Sequence, residues 1–555
     1  MVENLRIGKE QAEEKVRAPA VLDTAHVGDI KGAFGTIREH DLASRRSLGR
    51  KLLTLLAIIG PGLIVMVGDN DAGGVATYAQ AGQNFGTSLL WTLPLLIPVL
   101  IVNQEMVVRL GAVTGVGHAR LIKERFGKFW GGFSVGDLFL LNFLTIVTEF
   151  IGVSLALGYF GVSSDISVPI AAVGLIVITT SGSFKVWERF MFVFVATNFL
   201  AIPLVILVHP HLSPVAHGFL VPGATGGLNS RAVLLIIAVV GTTVAPWQLF
   251  FQQSNIVDKR ITPRWINYER ADTFIGSVVV VVAAGALVIT AAFAFQGTPL
   301  AGHFTDAAQV AHGLARFVGD GTGTLFSLVL LNASIIGAAA VTLSTSYAFG
   351  DMFGIRHSLH RSFSESKPFY VIYTALVVCA AGIVLIPHAP LGLLTTVVQA
   401  LAGILLPSAT VFLLLLCNDK EVLGPWINRP WLNLVSGFII SVLLALSLIL
   451  MATTVLPNLQ VASVALVLGA LIVVGFATVG VWEMLPAQRL ARRVAQAVPA
   501  DPTVRRETWR MPQLALLERP VWSRARSTAM GAMWVYLAVA AVLLAVKAYQ
   551  LATGH

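Results

Sequence analysis

Charge is what this 555-residue chain has least of: Asp, Glu, Lys and Arg together make up 12% of it, against 56% apolar residues. A soluble protein of this size needs polar outer faces on its helices, and most of the apolar runs here have none, which excludes one large water-soluble core. Cysteine is nearly absent. Cys379 and Cys417 both fall in apolar runs, so neither a disulfide framework nor a thiolate metal site is expected. No GxxxxGKS/T stretch occurs, which argues against an ATP-driven pump. The 12 histidines lie in loops or near segment ends, with no carboxylate partner at zincin spacing. No nucleophile–base pair is visible either, so the chain does not read as an enzyme, and no cofactor is expected. The net charge of +9 does not point to nucleic acid, because the basic residues concentrate in alternate loops, as membrane topology produces.

What the chain has is apolar sequence in membrane-crossing lengths. A helix needs about 20 apolar residues to cross the hydrocarbon core, and about thirteen such segments run between residues 53 and 550. The connections after the even-numbered segments are basic, as in RLIKERFGK at 120–128, DKRITPRWINYER at 258–270 and RHSLHR at 356–361. The opposite connections, HPHLSPVAHG at 209–218 and PHAPLG at 387–392, carry almost no Lys or Arg. The positive-inside rule then predicts a multi-pass protein of the cell (inner) membrane, embedded in the lipid bilayer, with a cytoplasmic N-terminus and an external C-terminus.

One stretch breaks the apolar pattern in mid-segment: GDNDAGG at 68–74, flanked by TLLAIIGPGLIVMV and VATYAQAG. An intramembrane carboxylate costs about 2.5–3.5 kcal/mol on insertion scales and persists when it faces a water-filled cavity or a cation. Glycines loosen a helix, and the freed carbonyls then need partners. A bound cation meets both demands, because carboxylate and carbonyl oxygens are hard ligands. The sixth segment carries a second interruption, GTTVAPW at 241–247. Paired breaks at corresponding places in two halves are the sequence pointer to a secondary-transporter site near the bilayer midplane. Asp69, Asp71 and the backbone carbonyls of Gly68 and Thr242 therefore form a candidate cation cage.

At these residues the chain resembles the NRAMP (natural resistance-associated macrophage protein) family of divalent-metal transporters. The run is GPG at 60–62, DAGG at 71–74 and QAG at 80–82, followed by NQEMVVRLGAVTG at 103–115, TEFIG at 148–152, GTTVAPW, YERADT at 268–273, and Gln399 with Leu406 and Pro407. The resemblance covers about residues 52–425. It implies an all-α polytopic fold of the LeuT type, a 5+5 inverted repeat with helices 1 and 6 broken, plus two or three C-terminal spans. With the polar and basic stretches read along the chain, the expected organisation is a polar cytoplasmic tail, loosely ordered, at 1–50; a transporter core of spans 1–10 at 51–425; spans 11 and 12 at 426–485; a basic cytoplasmic connector at 486–527; and a C-terminal span at 528–555.

The resemblance places the family's metal-binding aspartate on Asp71 and a further ligand on Gln399. The departures point elsewhere in substrate. The family's proline and asparagine at the first break fall on Ala72 and Gly74, and Asp69 is an additional acid. The family's methionine falls on Ala245, and its two histidines fall on Trp247 and Gln252. A family proton-route aspartate falls on Ile146, while Glu149 matches the neighbouring glutamate and stands as a possible proton path. Loss of the soft thioether leaves an all-oxygen site, which suits Mg²⁺ as well as Mn²⁺. This pattern is similar to the NRAMP-related magnesium transporter branch, and it implies a divalent-cation transporter for Mg²⁺ and Mn²⁺ with weak or no proton coupling. Asn70, Gly74, Ala245, Trp247, Gln248 and Gln252 are expected to line the cavity. The alternatives are a proton-coupled Mn²⁺/Fe²⁺ symporter, an amino-acid or organic-cation symporter on the same fold, and a channel or sensor. Glu105 and Arg109, four residues apart, read as a structural ion pair. Asp272 and Arg270 are expected to fix the inner loop. The oligomeric state is left open.

Overall fold

The computed structural model describes residues 23–41, 43–387, 398, 408–456, 459–484, 505–518, 520 and 524–553. A short hairpin of β1 (Ile30–Gly32) and β2 (Gly35–Ile37) precedes the helices. Then come α1 (Leu48–Ile58), α2 (Pro61–Asp69), α3 (Ala72–Phe85), α4 (Thr92–Thr114), α5 (His118–Phe126), α6 (Lys128–Gly158) and α7 (Ser164–Thr179). The chain continues with α8 (Phe184–Leu207), α9 (Leu212–Leu220), α10 (Ser230–Thr243), α11 (Pro246–Asp258), α12 (Ile266–Phe295), α13 (Ala307–Phe317) and α14 (Asp320–Phe353). It ends with α15 (Lys367–Val384), α16 (Ser408–Cys417), α17 (Pro430–Val455), α18 (Val461–Met484) and α19 (Arg524–Thr553). Among the described residues nine helices are long and apolar enough to cross a membrane, α10 and α11 counting as one; a tenth results if the bent pair α1–α2 is a single span. The tenth apolar segment of the sequence falls largely outside the described residues, as does Gln399.

Helices α12 and α14 form the centre of the bundle. α12 packs against α2, α3 and α4, and α14 packs against α6 and α11. Small residues allow the close approaches: a Cβ on Gly82 of α3 would run into the Val288 carbonyl of α12. The outer helices show the opposite pattern. Ile166, Ile170, Val173 and Val177 of α7 recur every three or four residues and are all exposed, a stripe suited to lipid tails.

The first segment is broken twice, where the sequence suggests one interruption. Besides the break at GDNDAGG, α1 and α2 meet at 57° around Gly60. Gly60 adopts φ +154°, which a side chain would strain, and Pro61 starts α2. Opposite charges hold the two sides of the bend. Lys259 Nζ donates to the Ile58 and Ile59 carbonyls at 2.6 and 2.8 Å, at the end of α1. Asp272 accepts from the amides of Gly60, Gly62 and Leu63 at 3.0, 2.7 and 3.1 Å, at the start of α2. A cation at a helix C-terminus and an anion at an N-terminus each complement the helix dipole. Asp272 therefore caps a helix, a more specific task than steadying the inner loop.

From Asp23 onward the stretch before α1 is tied to the bundle by side-chain contacts. Asp23 caps a turn at Thr24–His26 and pairs with the Arg361 guanidinium. Arg260 donates to the Ala25 and Asp29 carbonyls at 2.8 and 3.1 Å. At the hairpin tip, the Ala33 amide donates to Glu188 at 2.5 Å, and Glu188 pairs with Lys259 at 2.6 Å with both side chains fully buried. Burial acts to raise the Asp23 carboxyl, but the Arg361 and Ala25 hydrogen bonds outweigh it and hold the group below its ordinary range. The Glu105–Arg109 pair is present at 3.0 Å, and Arg270 joins Glu105 at 2.5 Å.

Candidate metal-transport site

Two helix breaks meet inside the bundle. The first lies between Asp69, the last residue of α2, and Ala72, the first of α3. Asp71 is the N-cap of α3: its Oδ1 accepts from the Gly74 amide at 2.7 Å. A Cβ on Gly74 would stand 3.1 Å from the Asp69 carbonyl and 3.4 Å from Asp71 Oδ1, so the small residue keeps this turn tight. The Ala72 amide, which would continue a helix by bonding to the Gly68 carbonyl, donates to Glu149 Oε2 of α6 at 3.1 Å instead. The Gly68 carbonyl thereby loses its helical partner.

The second break lies between Thr243 and Pro246, where Val244 leaves the helix and Ala245 is extended. Here the chemistry is simpler. The helical partner of the Thr242 carbonyl would be the amide of residue 246, and proline has none. Both carbonyls proposed as ligands, Gly68 and Thr242, thus sit in last turns whose next donor is diverted or missing.

Side chains tie the breaks together. Gln248 of α11 donates through Nε2 to Asp69 Oδ1. Tyr78 of α3 and Thr243 of α10 share a hydrogen bond of 2.8 Å between their hydroxyls. Asp69 is 1% exposed and Asp71 8%, so the carboxylates are enclosed. Asp69 Oδ2 and Glu149 Oε1 are buried with no hydrogen-bond partner. Buried carboxylate oxygens without donors carry a large desolvation cost that a cation relieves. Among the described residues no group of three His, Cys, Asp or Glu side chains has the arrangement of a metal cage.

The other expected residues are placed as follows. Asn70 donates to the Val280 carbonyl of α12 at 3.1 Å; it ties the break to α12 and leaves Asp71 to the Gly74 amide. Ala245 is buried in the second break. The Trp247 indole lies against Gly68, 3.4 Å from where a Cβ would stand, and Ser344 donates to the Trp247 carbonyl at 3.0 Å. Gln252, one turn beyond Gln248, donates to Thr273 of α12 at 2.9 Å and serves a helix contact. Glu149 sits beside Asp71 in room left by Gly337, where a Cβ would come within 2.8 Å of the Glu149 carboxyl and 3.1 Å of Asp71 Cβ.

Three contributors are invisible as site residues in the sequence. Gln104 donates to Gln248 Oε1 at 3.2 Å and so presents the Gln248 amide nitrogen to Asp69. Tyr78 and Gly337 complete the set. Gln104 lies in the NQEMVV run, and Tyr78 follows Asp71 by two helical turns, which are the only signals the chain offers for them.

Buried acids at the meeting point of two broken helices, inside a bundle of membrane-length helices, define a polytopic membrane protein of the LeuT-like transporter fold. The chain belongs to the Nramp family: the family described as natural resistance-associated macrophage protein-like matches residues 62–453. The divalent metal cation transporter MntH of Lacticaseibacillus casei is 27% identical over 417 residues, covering 72% of this chain and 90% of that one. The protein of the same name from Aeromonas hydrophila is also 27% identical, over 72% of this chain and 96% of its own length. Among solved structures, the Eremococcus coleocola manganese transporter in complex with an aromatic bis-isothiourea compound superposes with a TM-score of 0.60 at 20% identity, covering 80% of this chain and 96% of that one.

Proposed function

We propose that the chain moves divalent metal cations across the cell membrane by alternating access, with Asp71 as the central ligand. Asp69 and the Gly68 and Thr242 carbonyls complete an oxygen site, with Gln399 joining it in part of the cycle. One observation carries this reading: Gln248 of the second break bonds to Asp69 of the first, so both broken helices converge on buried acids. The pair of acids also argues against an amino-acid symporter, whose substrate carboxylate they would repel. Basic loops support a cytoplasmic N-terminus.

Within that reading, the donors at the breaks are carboxylate and carbonyl oxygens, with Ala245 and Trp247 where the family carries methionine and histidine. Hard oxygen ligands accept Mg²⁺ alongside Mn²⁺. Ile146 removes one acid from the proton route, which supports weak or absent proton coupling. A proton-coupled Mn²⁺ symporter is the second reading. It is favoured by Glu149, a buried carboxyl beside Asp71, and by the relatives' names as divalent metal or manganese transporters.

Purified protein in liposomes, loaded with a pH dye and given Mg²⁺ or Mn²⁺, separates the two. Uptake of both metals without acidification, lost in Asp71→Ala, is the expected result. Mn²⁺ uptake alone with acidification would establish the second reading. Metal uptake unchanged in Asp71→Ala would remove the site itself.

A further inference from the structure

A second cavity, away from the breaks, carries chemistry of the opposite sign. It encloses about 330 Å³ at the end of the bundle where α4 finishes, α12 begins and α17 begins. Arg109, Arg270, Arg429 and Arg506 all line it, and Glu105 is its single carboxylate. Glu105 is already engaged by Arg109 at 3.0 Å and Arg270 at 2.5 Å. Arg109 is further satisfied by the Trp426 carbonyl at 2.7 Å and Asn428 Oδ1 at 2.6 Å. Arg429 and Arg506 have no carboxylate partner among the described residues. Arg506 reaches the cavity from the segment after α18 and rests on the Trp426 ring at 4.0 Å. Burial and the neighbouring Arg270, Arg429 and Arg109 charges lower the Arg506 guanidinium from its ordinary value, a sign of uncompensated positive charge.

Two further features complete the cavity. α17 starts there, with Arg429 as its N-cap, so the positive end of its dipole adds to the guanidinium charge. Trp431, 59% exposed, stands at the rim, and Ile101 and Val102 supply an apolar wall. Arginine forks match phosphate oxygens, and an exposed tryptophan beside an apolar wall is the signature of the headgroup layer. Such a cavity repels a divalent cation and so lies off the route of the metal.

We propose that this cavity is a phosphate-anion site occupied by the headgroup of an anionic phospholipid from the adjoining leaflet. Arg429 and Arg506 grip the phosphate, Arg270 flanks it, and Trp431 lies against the glycerol and acyl region. The site makes lipid a structural ligand that staples the segment bearing Arg506 to the start of α17.

Native mass spectrometry of the purified full-length protein tests this, with phosphatidylglycerol as probe, phosphatidylcholine as the zwitterionic control and inorganic phosphate in a parallel arm. The expected result is selective retention of phosphatidylglycerol. The double variant R429Q/R506Q should weaken it by about fivefold per charge, roughly thirty-fold together. R429K/R506K keeps the charge but loses the planar fork, and it should bind between the natural chain and R429Q/R506Q, which separates loss of the site from loss of the fold. Trp431→Ala should weaken phosphatidylglycerol and leave inorganic phosphate unaffected. Equal retention of the two lipids, or wild-type retention by R429Q/R506Q, would overturn the site. Inorganic phosphate bound through the same arginines without competition from phosphatidylglycerol would overturn the lipid source.

Discussion

The two helix breaks do the same mechanical job by different chemistry. The first, from Asp69 to Ala72, is held open by charge: Asp71 takes the Gly74 amide and Glu149 takes the Ala72 amide, so the helix cannot close through this turn. The second, from Thr243 to Pro246, is held open by a missing atom, the absent N–H of proline. The first break therefore supplies negative charge and depends on tertiary partners, whereas the second supplies neutral carbonyl oxygen and is written into the covalent chain. A cation site needs both, because carboxylates provide affinity while carbonyls fill coordination positions without adding repulsion between acids.

Each break, and the contacts that hold it, can be removed separately. Replacing Asp71 by Ala removes the charge of the first break. Metal uptake in liposomes should fall by more than the ten- to hundredfold, roughly, that loss of a supporting partner costs. Asp272→Ala attacks the bend before that break: three amides lose their acceptor, and stability should drop by about 2–3 kcal/mol, seen as a lower melting temperature in detergent. Gln104→Leu releases Gln248 from its orientation toward Asp69 and should reduce uptake about tenfold, with a smaller fall in melting temperature than Asp272→Ala because one buried acceptor, not three amides, loses its partner. Pro246→Ala restores a donor for the Thr242 carbonyl. The apparent metal affinity should weaken by roughly fivefold, the worth of one hydrogen bond, while maximal uptake stays within twofold, about the scatter of such a substitution.

The smallest effect concerns acid. His118, at the start of α5, bonds to Gln253 at 2.8 Å, and burial pushes its imidazole down to about 4. The folded protein thus keeps it neutral where the unfolded chain, with an ordinary value near 6.5, already binds a proton. Its contribution is complete above that ordinary value and is lost as pH falls toward the folded one. Between pH 6.5 and 5.5 the loss should be about 1 kcal/mol, and His118→Gln, which does not titrate, should flatten that part of the melting-temperature profile.

Both breaks were legible in the sequence because glycine, proline and acids are conspicuous inside apolar runs, and their local chemistry dictates where a helix fails. The Glu105–Arg109 pair was legible for the same reason, being four residues apart on one helix. Contacts between distant segments were not. Gly60 and Pro61 stand in plain view, yet the 57° bend they allow is held by Lys259 and Asp272 from two hundred residues away. The hairpin at residues 30–37 is short, and it takes its place from distant partners: Glu188 and Arg189 at its tip, Phe192 against Phe34, and the end of α1. Gln104 reads as one polar residue in a helix until Gln248 is brought beside it. Gln399 lies outside the described residues.

On the proposed reading, an oxygen-only site lets hard and borderline divalent cations share one path. The most direct test is the ratio of Mg²⁺ to Mn²⁺ uptake in liposomes for the natural chain and for Ala245→Met, which returns a soft sulfur to the second break. Comparable uptake of both metals is expected for the natural chain, and a marked loss of Mg²⁺ relative to Mn²⁺ for the variant. Strong preference for Mn²⁺ in the natural chain, or an unchanged ratio in Ala245→Met, would contradict it.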